Sequence, residues 1–393
     1  MNYAPEPIGV GRYTGELAEF LAANGEHVEV VTSVPHYPGW RVSAPYRSWR
    51  YSTETNNGVQ IIRCPLLLHR SGSGIWRLLA PLSFAIAAAP VVVWRILRSR
   101  PDVVICVEPT LLSAPAAVLA AKVVGARRIL HVQDLEIDAA FSVGHLNANW
   151  LLKAASSFER FMLRRFKRVI TISERMGQKL AAKGVSSNSI SILRNWVNTS
   201  KIKPLPGPNE FRQQLGLKDK DFVVLYAGHI GRKQAVDQLL LAARECRSQD
   251  AIHFVISGDG PEKSRLIDVY GTLPNVHFLP IQPEERLCEL LNFADVHALP
   301  QDRDAADFVL PSKLGGMLAS GRPIVVTTDP GTELYDLLNG VGTIVPPDDV
   351  AALADAIKLV FSTRPLAVPQ LRKLVSSLSS ETILPNFRRA IIG

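Results

Sequence analysis

The chain has 393 residues, of which 47% are hydrophobic and 20% are charged. At about 150 residues a domain, this length predicts two to three domains with large cores, and the composition excludes a wholly disordered chain or a coiled coil. Lysine and arginine number 44 against 36 aspartate and glutamate. The resulting net charge of +8 favours an anionic partner, such as a nucleotide phosphate, an acidic lipid or a nucleic acid.

The four cysteines are far apart and form no CxxC pair, so the sequence favours neither a disulfide framework nor a zinc cluster. No histidine pair has metal-ligand spacing, and we expect no metal site. The amino terminus lacks the pattern of a signal peptide. The longest uncharged stretch, residues 78–94, contains two prolines and is shorter than a membrane span of about 20 residues. We therefore expect a cytoplasmic protein in which this stretch forms a buried or interfacial helix.

Short β-branched runs alternate with amphipathic helical stretches along most of the chain. The predicted strands of the first half are residues 28–32, 59–63, 103–107, 128–132 and 169–172, and its clearest helices are residues 13–24 and 149–165. The predicted strands of the second half are residues 222–227, 253–257, 276–279, 296–299 and 323–327. This alternation predicts an α/β fold of two Rossmann-like, doubly wound domains with parallel sheets.

The domain boundary is predicted from a change in composition. Residues 198–210 are rich in proline, asparagine and glycine and lack apolar periodicity, so we interpret them as a linker. The N-terminal domain then covers residues 1–197 and the C-terminal domain residues 211–375. Residues 376–393 are expected to form a helix that packs back toward the N-terminal domain. Two such domains place a central cleft between their strand carboxyl ends, where ligands of open α/β sheets bind.

A glycine turn at residues 7–11 lies near the start of the chain, with no apolar strand before it. Such a turn normally follows a strand of about five to six residues. We therefore expect the first strand of the N-terminal domain to be missing, either because translation starts upstream or because the chain is truncated and this domain is damaged. Gly9 and Gly11 open a predicted helix and let backbone N–H groups approach a phosphate, with a simple tight turn as an equal alternative.

Two glycine-rich turns follow predicted strands of the second domain. The first contains Gly228 and two adjacent cations, Arg232 and Lys233, which can pair with a diphosphate. A solvated basic loop is the alternative interpretation. The second turn contains Gly258 and Gly260, and we interpret it as structural, with a backbone contact to a nucleotide base as the alternative.

Ser312 and Lys313 precede a short predicted helix at residues 315–320. The start of a helix favours negative charge, so this corner predicts a second position for an anion in the same domain.

In the first domain, a predicted strand ends at polar and acidic residues that include Asp134 and Glu136. Facing the cleft, a carboxylate there would orient an acceptor hydroxyl or take its proton, and helix capping by Asp134 is an equal alternative. His131 lies inside the apolar run, and we interpret it as a core histidine whose hydrogen bonds are satisfied.

Arginines bracket the apolar stretch at residues 78–94, and residues 55–101 contain no aspartate or glutamate. A second basic cluster lies at residues 160–168. An apolar face flanked by cations predicts contact with an anionic membrane surface, with a solvated surface as the alternative. The sequence has no RNP, helix-turn-helix or zinc pattern, so we expect no nucleic-acid partner.

Taken in order, these segments resemble the GT-B-fold glycosyltransferases of family 4, most closely their WcaI-like colanic acid and exopolysaccharide branch. The resemblance covers nearly the whole chain. The segments that carry it are NYAPEPIGVGRYTGELAEFLAANGEHVEVVTSVPHYPGW, RPDVVICVEPTLLSAPAA, HVQDLEIDAAF, YAGHIGRKQ, SGDGP and LPSKLGGMLASGRPIVVT.

The resemblance implies a retaining, metal-independent hexosyltransferase without a cofactor. Its donor would be a nucleotide-diphosphate-sugar bound mainly by the second domain. Its acceptor would be a polyprenyl-diphosphate-linked saccharide at the cytoplasmic face of the membrane. By this resemblance Arg232 and Lys233 stabilise the departing diphosphate. The donor-binding residues that it implies are Gly9, Gly11, Gly228, Ser312 and Lys313.

The chain departs from the family pattern at two positions. Gln133 stands where many members have a histidine, so we assign the polar role near the sugar to the next residue, Asp134. The common Glu-x7-Glu pair is also absent, because its second position is Gly316. We expect Glu333 to bind the ribose or sugar hydroxyls instead.

Two other functions stay open. The missing first strand and the missing glutamate pair favour a catalytically impaired, membrane-associated remnant that binds a nucleotide sugar or a partner enzyme. A sugar-nucleotide epimerase on the same fold would need more acid and base groups than the sequence offers. The leading hypothesis is a peripheral membrane glycosyltransferase of exopolysaccharide biosynthesis, with Asp134, Arg232 and Lys233 as catalytic residues.

Overall fold

The computed structural model describes residues 1–6, 9–37, 39–42, 44–68, 76–135, 149–206, 209–303, 310–364 and 369–393. Residues 7 and 8 of the predicted first glycine turn lie outside these ranges, and so does Glu136, one of the acidic residues predicted to face the cleft. The chain forms two compact units: unit 1 consists of Met1–Arg194 and Leu384–Gly393, and unit 2 of Asn195–Ile383. Both units are α/β structures built on parallel sheets, which confirms the predicted fold class.

Unit 1 begins with a small sheet and two helices. Its elements are α1 (Gly9–Ala23), β1 (Glu29–Ser33), β2 (Ser52–Asn56), β3 (Val59–Cys64) and α2 (Trp76–Ser99). The strand order is β1-β3-β2, in which β3 runs parallel to β1 and antiparallel to β2. Residues 1–6, the described residues before α1, contain no strand.

The second sheet of unit 1 is wholly parallel. Its elements in chain order are β4 (Val103–Glu108), α3 (Ala114–Val124), β5 (Arg127–Val132), α4 (Asn149–Leu163), β6 (Arg168–Thr171), α5 (Glu174–Ala182) and β7 (Ile190–Ile192). The strands lie in the order β4-β5-β6-β7. Leu130 and Val169 in the sheet pack against Leu163 and Leu180 in the helices, because one face of each helix is apolar.

Unit 2 contains one six-stranded parallel sheet in the order β10-β9-β8-β11-β12-β13. Its elements in chain order are α6 (Glu210–Gln214), β8 (Phe222–Ala227), α7 (Val236–Glu245), β9 (Ile252–Ser257), α8 (Lys263–Tyr270), β10 (Val276–Leu279), α9 (Glu284–Phe293), β11 (Val296–Leu299), α10 (Leu314–Ala319), β12 (Ile324–Thr327), α11 (Glu333–Leu338), β13 (Thr343–Val345), α12 (Val350–Thr363) and α13 (Pro369–Ser377). The order reverses between β8 and β11, and ligands of such sheets bind where the carboxyl ends flank this reversal.

Strand β8 is buried at all of its positions, because helices cover both faces of the sheet. On one face its side chains pack with α7 and α12, and on the other with α6 and α9. Part of the predicted linker also packs into the core between the sheet and helices α6 and α9. Ile202 is buried among these side chains, and the side chain of Asn292 accepts a hydrogen bond from the Leu205 amide at 2.8 Å.

The last helix, α14 (Ser380–Ile392), ends in unit 1. Arg388 donates a hydrogen bond to Glu26 Oε1 at 2.6 Å, and Arg127 donates one to the Ile392 carbonyl at 2.7 Å. The ring of Phe387 packs edge-on against His131, with 5.1 Å between ring centroids. An ion pair, a backbone contact and a ring contact therefore fix this end of the chain in unit 1.

Helix α2 is longer than the sequence suggested. It continues through Pro81 and Pro90 to 24 residues, whereas the uncharged stretch between charged residues is shorter. Within the described part of the chain, its segment Leu79–Ser99 is the one helix that could cross a membrane by length and composition. One face nevertheless packs into unit 1 through Phe84 and Ala88.

Candidate functional site

Two glycine turns meet at the carboxyl edge of the unit 2 sheet. Gly228 follows β8, and its amide donates a hydrogen bond to the Ser257 carbonyl at 2.9 Å. A Cβ atom on Gly258 would overlap the carbonyl oxygen of Gly228, and one on Gly260 would overlap that of Ile230. Both glycines also have φ near 155°, which other residues rarely adopt. The two turns can therefore approach each other only because these positions are glycine.

Lys313 is the buried cation of this edge. It immediately precedes α10, and its Nζ lies 3.8 Å from the centroid of the Tyr226 ring. Nζ is buried and has no hydrogen-bond partner among the described residues. Its Cδ lies 3.3 Å from the position that a Cβ on Gly228 would take, so a side chain there would crowd the lysine. Burial lowers the pKa of Lys313 to about 7, because desolvation disfavours the ammonium form.

The surroundings of Lys313 suit an anion. A cation–π contact stabilises an ammonium by about 0.5–2 kcal/mol, whereas burying an unpaired charge costs several times more. An anionic oxygen that accepted a hydrogen bond from Nζ would offset this cost and raise the pKa of Lys313. The site can therefore bind a phosphate-like group through one buried ammonium.

Arg232 and Lys233 lie in the same loop as Gly228 but at the surface. The Arg232 side chain is 91% exposed, and its Nε lies 3.7 Å from Glu262 Oε1. The Lys233 side chain is exposed too, while its carbonyl accepts a hydrogen bond from the Asp302 amide at 3.1 Å. This backbone bond joins the loop after β8 to the loop after β11. The two cations thus belong to the carboxyl edge, but water screens them far more than Lys313.

Two site residues were not identified from the sequence. Tyr226 supplies the ring under Lys313, and its hydroxyl donates a hydrogen bond to the His229 carbonyl. Burial, and then the nearby charge of Lys313, lower the pKa of His229 below its ordinary value. Both residues lie close to Gly228 at the end of an apolar strand. This position is the feature of the sequence that could have identified them as site residues.

The other predicted donor residues of unit 2 lie at or just before the first residues of helices α10 and α11. Ser312 is exposed beside Lys313. Glu333 is the first residue of α11 and is partly buried, one residue after Thr332, which caps the helix by accepting from the Tyr335 amide at 3.2 Å. A Cβ on Gly316 would approach the Leu291 side chain to 3.1 Å, so the position of the missing glutamate faces the core.

In unit 1, Gly9 and Gly11 open α1. Gly9 has a φ of 64°, and a Cβ on Gly11 would lie 2.6 Å from Glu6 Oε2. The other oxygen of this buried carboxylate accepts hydrogen bonds from the amides of His36 and Tyr37 at 3.1 and 3.0 Å. Gly11 therefore has a packing role against Glu6, and its expected role near donor phosphates stays a prediction.

Polar groups collect at the carboxyl ends of β5 and β6. Asp134 is half-buried beyond the end of β5. Gln133 Nε2 and Thr171 Oγ1 are buried and have no hydrogen-bond partner among the described residues. These atoms give unit 1 unused capacity to bind hydroxyl groups. No group of three histidine, cysteine, aspartate or glutamate side chains in the described ranges could hold a metal ion.

His131 corrects one expectation. It is buried in unit 1, as expected for a core histidine, but neither ring nitrogen has a hydrogen-bond partner within the described ranges. Burial lowers the pKa of His131 to about 4, so the ring is neutral at pH 7.

Lys313 should make stability depend on pH. Its pKa is about 7 in the folded protein and 10.5 in the unfolded chain, so above pH 7 the unfolded chain binds more protons. The free energy of unfolding should therefore rise between pH 7 and pH 10, by at least the 1.4 kcal/mol or so that one pKa unit represents. Urea unfolding at pH 7, 8.5 and 10 measures this. Lys313→Met should remove the rise, whereas Lys220→Met, at the surface, should keep it. A rise that persists in Lys313→Met would contradict the assignment.

Comparison with known proteins shows the family of this chain. The family models for a Glycosyl transferase 4-like domain and for Glycosyl transferases group 1 match residues 9–196 and 208–373. The chain is 38% identical over 369 residues to the putative colanic acid biosynthesis glycosyl transferase WcaI of Escherichia coli (strain K12), covering 91% of this chain and 90% of WcaI.

Solved structures with the same fold include two whole-chain matches. Sucrose-phosphate synthase from Thermosynechococcus elongatus has a TM-score of 0.72 at 16% identity, covering 97% of this chain and 92% of that one. Anabaena HepE in complex with UDP and glucose has a TM-score of 0.65 at 14% identity, covering 93% and 99%. With both family models matched in order and WcaI aligned over nearly its full length, the chain belongs to the GT-B glycosyltransferases that combine a 4-like first domain with a group 1 second domain.

Proposed function

We propose that this protein transfers a hexose from a nucleotide-diphosphate-sugar donor to a lipid-linked saccharide in exopolysaccharide biosynthesis, with retention at the anomeric carbon. The observation that carries the proposal is the buried Nζ of Lys313 beside the glycine turn at Gly228, which finds no hydrogen-bond partner among the residues that the structure describes. Two relatives support the substrate class: WcaI is named for colanic acid biosynthesis, and HepE binds UDP and glucose.

In this proposal the cations of unit 2 act on the leaving group. The bond between the sugar C1 and the diphosphate oxygen breaks, and negative charge grows on the diphosphate. Lys313 stabilises this charge from its buried position, and Arg232 and Lys233 stabilise it from the surface. Such contacts accelerate the reaction because they strengthen in the transition state. The positive charge comes from side chains of this chain, without a metal ion.

The polar group at the ends of β5 and β6 would serve the sugar and the acceptor. Gln133 and Thr171 offer buried polar atoms to hydroxyl groups, and Asp134 follows Gln133 in the chain. As the acceptor oxygen bonds to C1, its proton must leave, and Asp134 would orient that hydroxyl.

A lipid-linked acceptor requires contact with a membrane, and α2 offers a surface for it. Ile86 and Trp94 are 68% and 55% exposed on this helix. The guanidinium groups of Arg95 and Arg98 lie 5.5 and 5.8 Å from the Trp94 ring. An apolar face with cations beside it suits the cytoplasmic surface of an anionic membrane.

The cations can be tested by charge removal. Arg232→Ala with Lys233→Ala, and separately Lys313→Met, should each lower kcat by about 10²-fold or more, the usual loss when a preorganised electrostatic contact is removed. The donor is first identified by thermal shift with a panel of GDP-, UDP- and dTDP-sugars. Turnover is then measured as the release of nucleoside diphosphate from that donor. Arg247→Ala, an exposed residue after α7, is the matched control and should keep normal turnover.

The outcomes separate the two functions that the sequence left open. Normal turnover in the double variant would remove Arg232 and Lys233 from the mechanism. A folded protein that binds a donor but never turns over would favour the catalytically impaired remnant.

Glu333 is tested by its isosteric amide. Glu333→Gln should weaken donor binding about tenfold, since a hydrogen bond to a charged group contributes roughly 1.5–3 kcal/mol. Donor titration followed by thermal shift gives the affinity. Asp336→Asn, on the same helix but exposed, should bind the donor as the wild type does. If Glu333→Gln binds the donor as tightly as the wild type and Asp336→Asn do, Glu333 is excluded as a donor ligand.

The membrane surface is tested with vesicles. The protein should co-sediment with vesicles that contain phosphatidylglycerol more than with pure phosphatidylcholine, and added salt should weaken this binding. Ile86→Gln should reduce it several-fold, while Leu359→Gln, an equally apolar exposed change on α12 of unit 2, should leave it unchanged. Equal binding by Ile86→Gln and the wild type would exclude α2 as the contact.

A further inference from the structure

Glu262, in the loop between β9 and α8, faces two arginines. Its Oε1 lies 3.7 Å from the Nε of Arg232, and its Oε2 accepts a hydrogen bond from the Nε of Arg265 at 2.7 Å. We propose that Glu262 is a positioning residue, which orients Arg232 for the leaving diphosphate, and that Arg265 limits how tightly Glu262 holds it. This inference rests on the proposed function, in which Arg232 stabilises the charge on that leaving group.

The backbone fixes Glu262 against the loop that carries Arg232. The Glu262 amide donates to the Ile230 carbonyl at 3.1 Å, and the Ile230 amide donates to the Asp259 carbonyl at 2.8 Å. A Cβ on Gly260 would lie 2.3 Å from the Ile230 carbonyl oxygen, so the main chains of the two loops are in direct contact. These contacts hold the main chain of Glu262 beside Ile230, which precedes Arg232 by two residues.

The carboxylate is the restrained member of the pair. The side chain of Glu262 is 18% exposed, whereas that of Arg232 is 91% exposed. A long exposed side chain loses rotamer freedom when it binds a ligand, and this loss opposes binding. A nearby charge of opposite sign that already favours some of these rotamers reduces the loss, which is the physical basis of preorganisation. Glu262 is therefore in a position to restrict Arg232 before a diphosphate arrives.

The geometry leaves the phosphate-binding groups of Arg232 available. Its contact with Glu262 is made through Nε, and at 3.7 Å this contact is electrostatic and not a hydrogen bond. Among the residues that the structure describes, the two terminal amino groups of Arg232 have no hydrogen-bond partner. Guanidinium groups bind phosphate oxygens through two parallel N–H donors. Glu262 can therefore attract Arg232 without occupying the donors that a diphosphate needs.

Arg265 keeps the contact between Glu262 and Arg232 loose. It binds the second carboxylate oxygen, Oε2, in a charge-assisted hydrogen bond, and its own Nη2 lies 3.9 Å from Asp237 Oδ2. One carboxylate thus faces two guanidinium groups, so Arg232 retains positive charge with which to attract an anion. Without Arg265, both oxygens of Glu262 would be available to Arg232 and would compete with the diphosphate.

Lys233 provides an internal comparison. It is the neighbouring exposed cation, with the same proposed role as Arg232, and its ammonium forms no ion pair within the described part of the chain. Glu262 should therefore affect turnover through Arg232 and not through Lys233.

A double-mutant cycle on kcat tests the positioning role. Glu262→Gln should lower kcat about two- to fivefold, the effect that an exposed ion pair supports. The same substitution should have no effect in Arg232→Ala, because the group that it positions is gone, and should keep its full effect in Lys233→Ala. Turnover is measured as the release of nucleoside diphosphate from the donor identified by thermal shift. Asp268→Asn, which removes an exposed charge from α8, is the matched control and should keep normal turnover.

The outcomes separate failure of this inference from failure of the proposed function. An equal loss from Glu262→Gln with and without Arg232 would mean that Glu262 only supports the loop. A gain in kcat would mean that Glu262 holds Arg232 away from the donor, and either result overturns the positioning role. Normal turnover in Arg232→Ala itself would instead remove Arg232 from the mechanism, and the inference would fail together with that proposed role.

Arg265→Met tests the second part of the inference. It should lower kcat, and weaken binding of the nucleoside diphosphate of the identified donor (UDP, GDP or dTDP), each about twofold, because Glu262 then competes for Arg232. Adding Glu262→Gln to Arg265→Met should bring both values to those of Glu262→Gln alone. Unchanged kcat and affinity in Arg265→Met would overturn the role of Arg265. A further loss in the double variant would also overturn it, because the two residues would then act independently.

Discussion

The candidate site of unit 2 depends on one constraint, the close approach of two backbone turns that only glycine permits. Gly258 lies so close to the Gly228 carbonyl that no side chain fits between them. Because Gly228 also lacks a side chain, Lys313 can lie over the turn and reach the Tyr226 ring. The position of the buried ammonium therefore depends on backbone packing, and a side chain at Gly228 would crowd Lys313 directly.

The cations of the site differ in a way that residue type does not reveal. The sequence places Arg232 and Lys233 in a turn after a strand and Lys313 just before a short helix, and the structure has them at these positions. The sequence does not distinguish the exposed pair from the buried lysine, because burial depends on Tyr226 and on the space left at Gly228. Exposed cations attract anions over a distance but are screened by salt, whereas a desolvated ammonium gains most when an anion replaces its lost water. The two kinds of cation can thus act at different stages of binding.

Most of the fold could be predicted from apolar runs, since buried parallel strands are nearly continuous in apolar residues. The strands at Phe222–Ala227 and Val276–Leu279 match the predicted residues. Strand β2, with the sequence STETN, was missed because it is an exposed edge strand without an apolar residue. The Asn57–Gly58 turn after it was the available signal, since this dipeptide is typical of tight hairpins. β7 and β13 have three residues each and show no periodicity.

The separation of the two sheets in unit 1 has a consequence for cooperative unfolding. Val92 of α2 packs against the cluster around Phe84 beside the first sheet, and also against Ala117 and Ala120 beside the second. The described strands form no ladder of backbone hydrogen bonds between β1 and β4, so coupling between the two halves passes through α2 and through α14, which contacts both Glu26 and Arg127. Unit 1 should then behave as two foldons connected by these two helices, which open at different free energies instead of in a single transition.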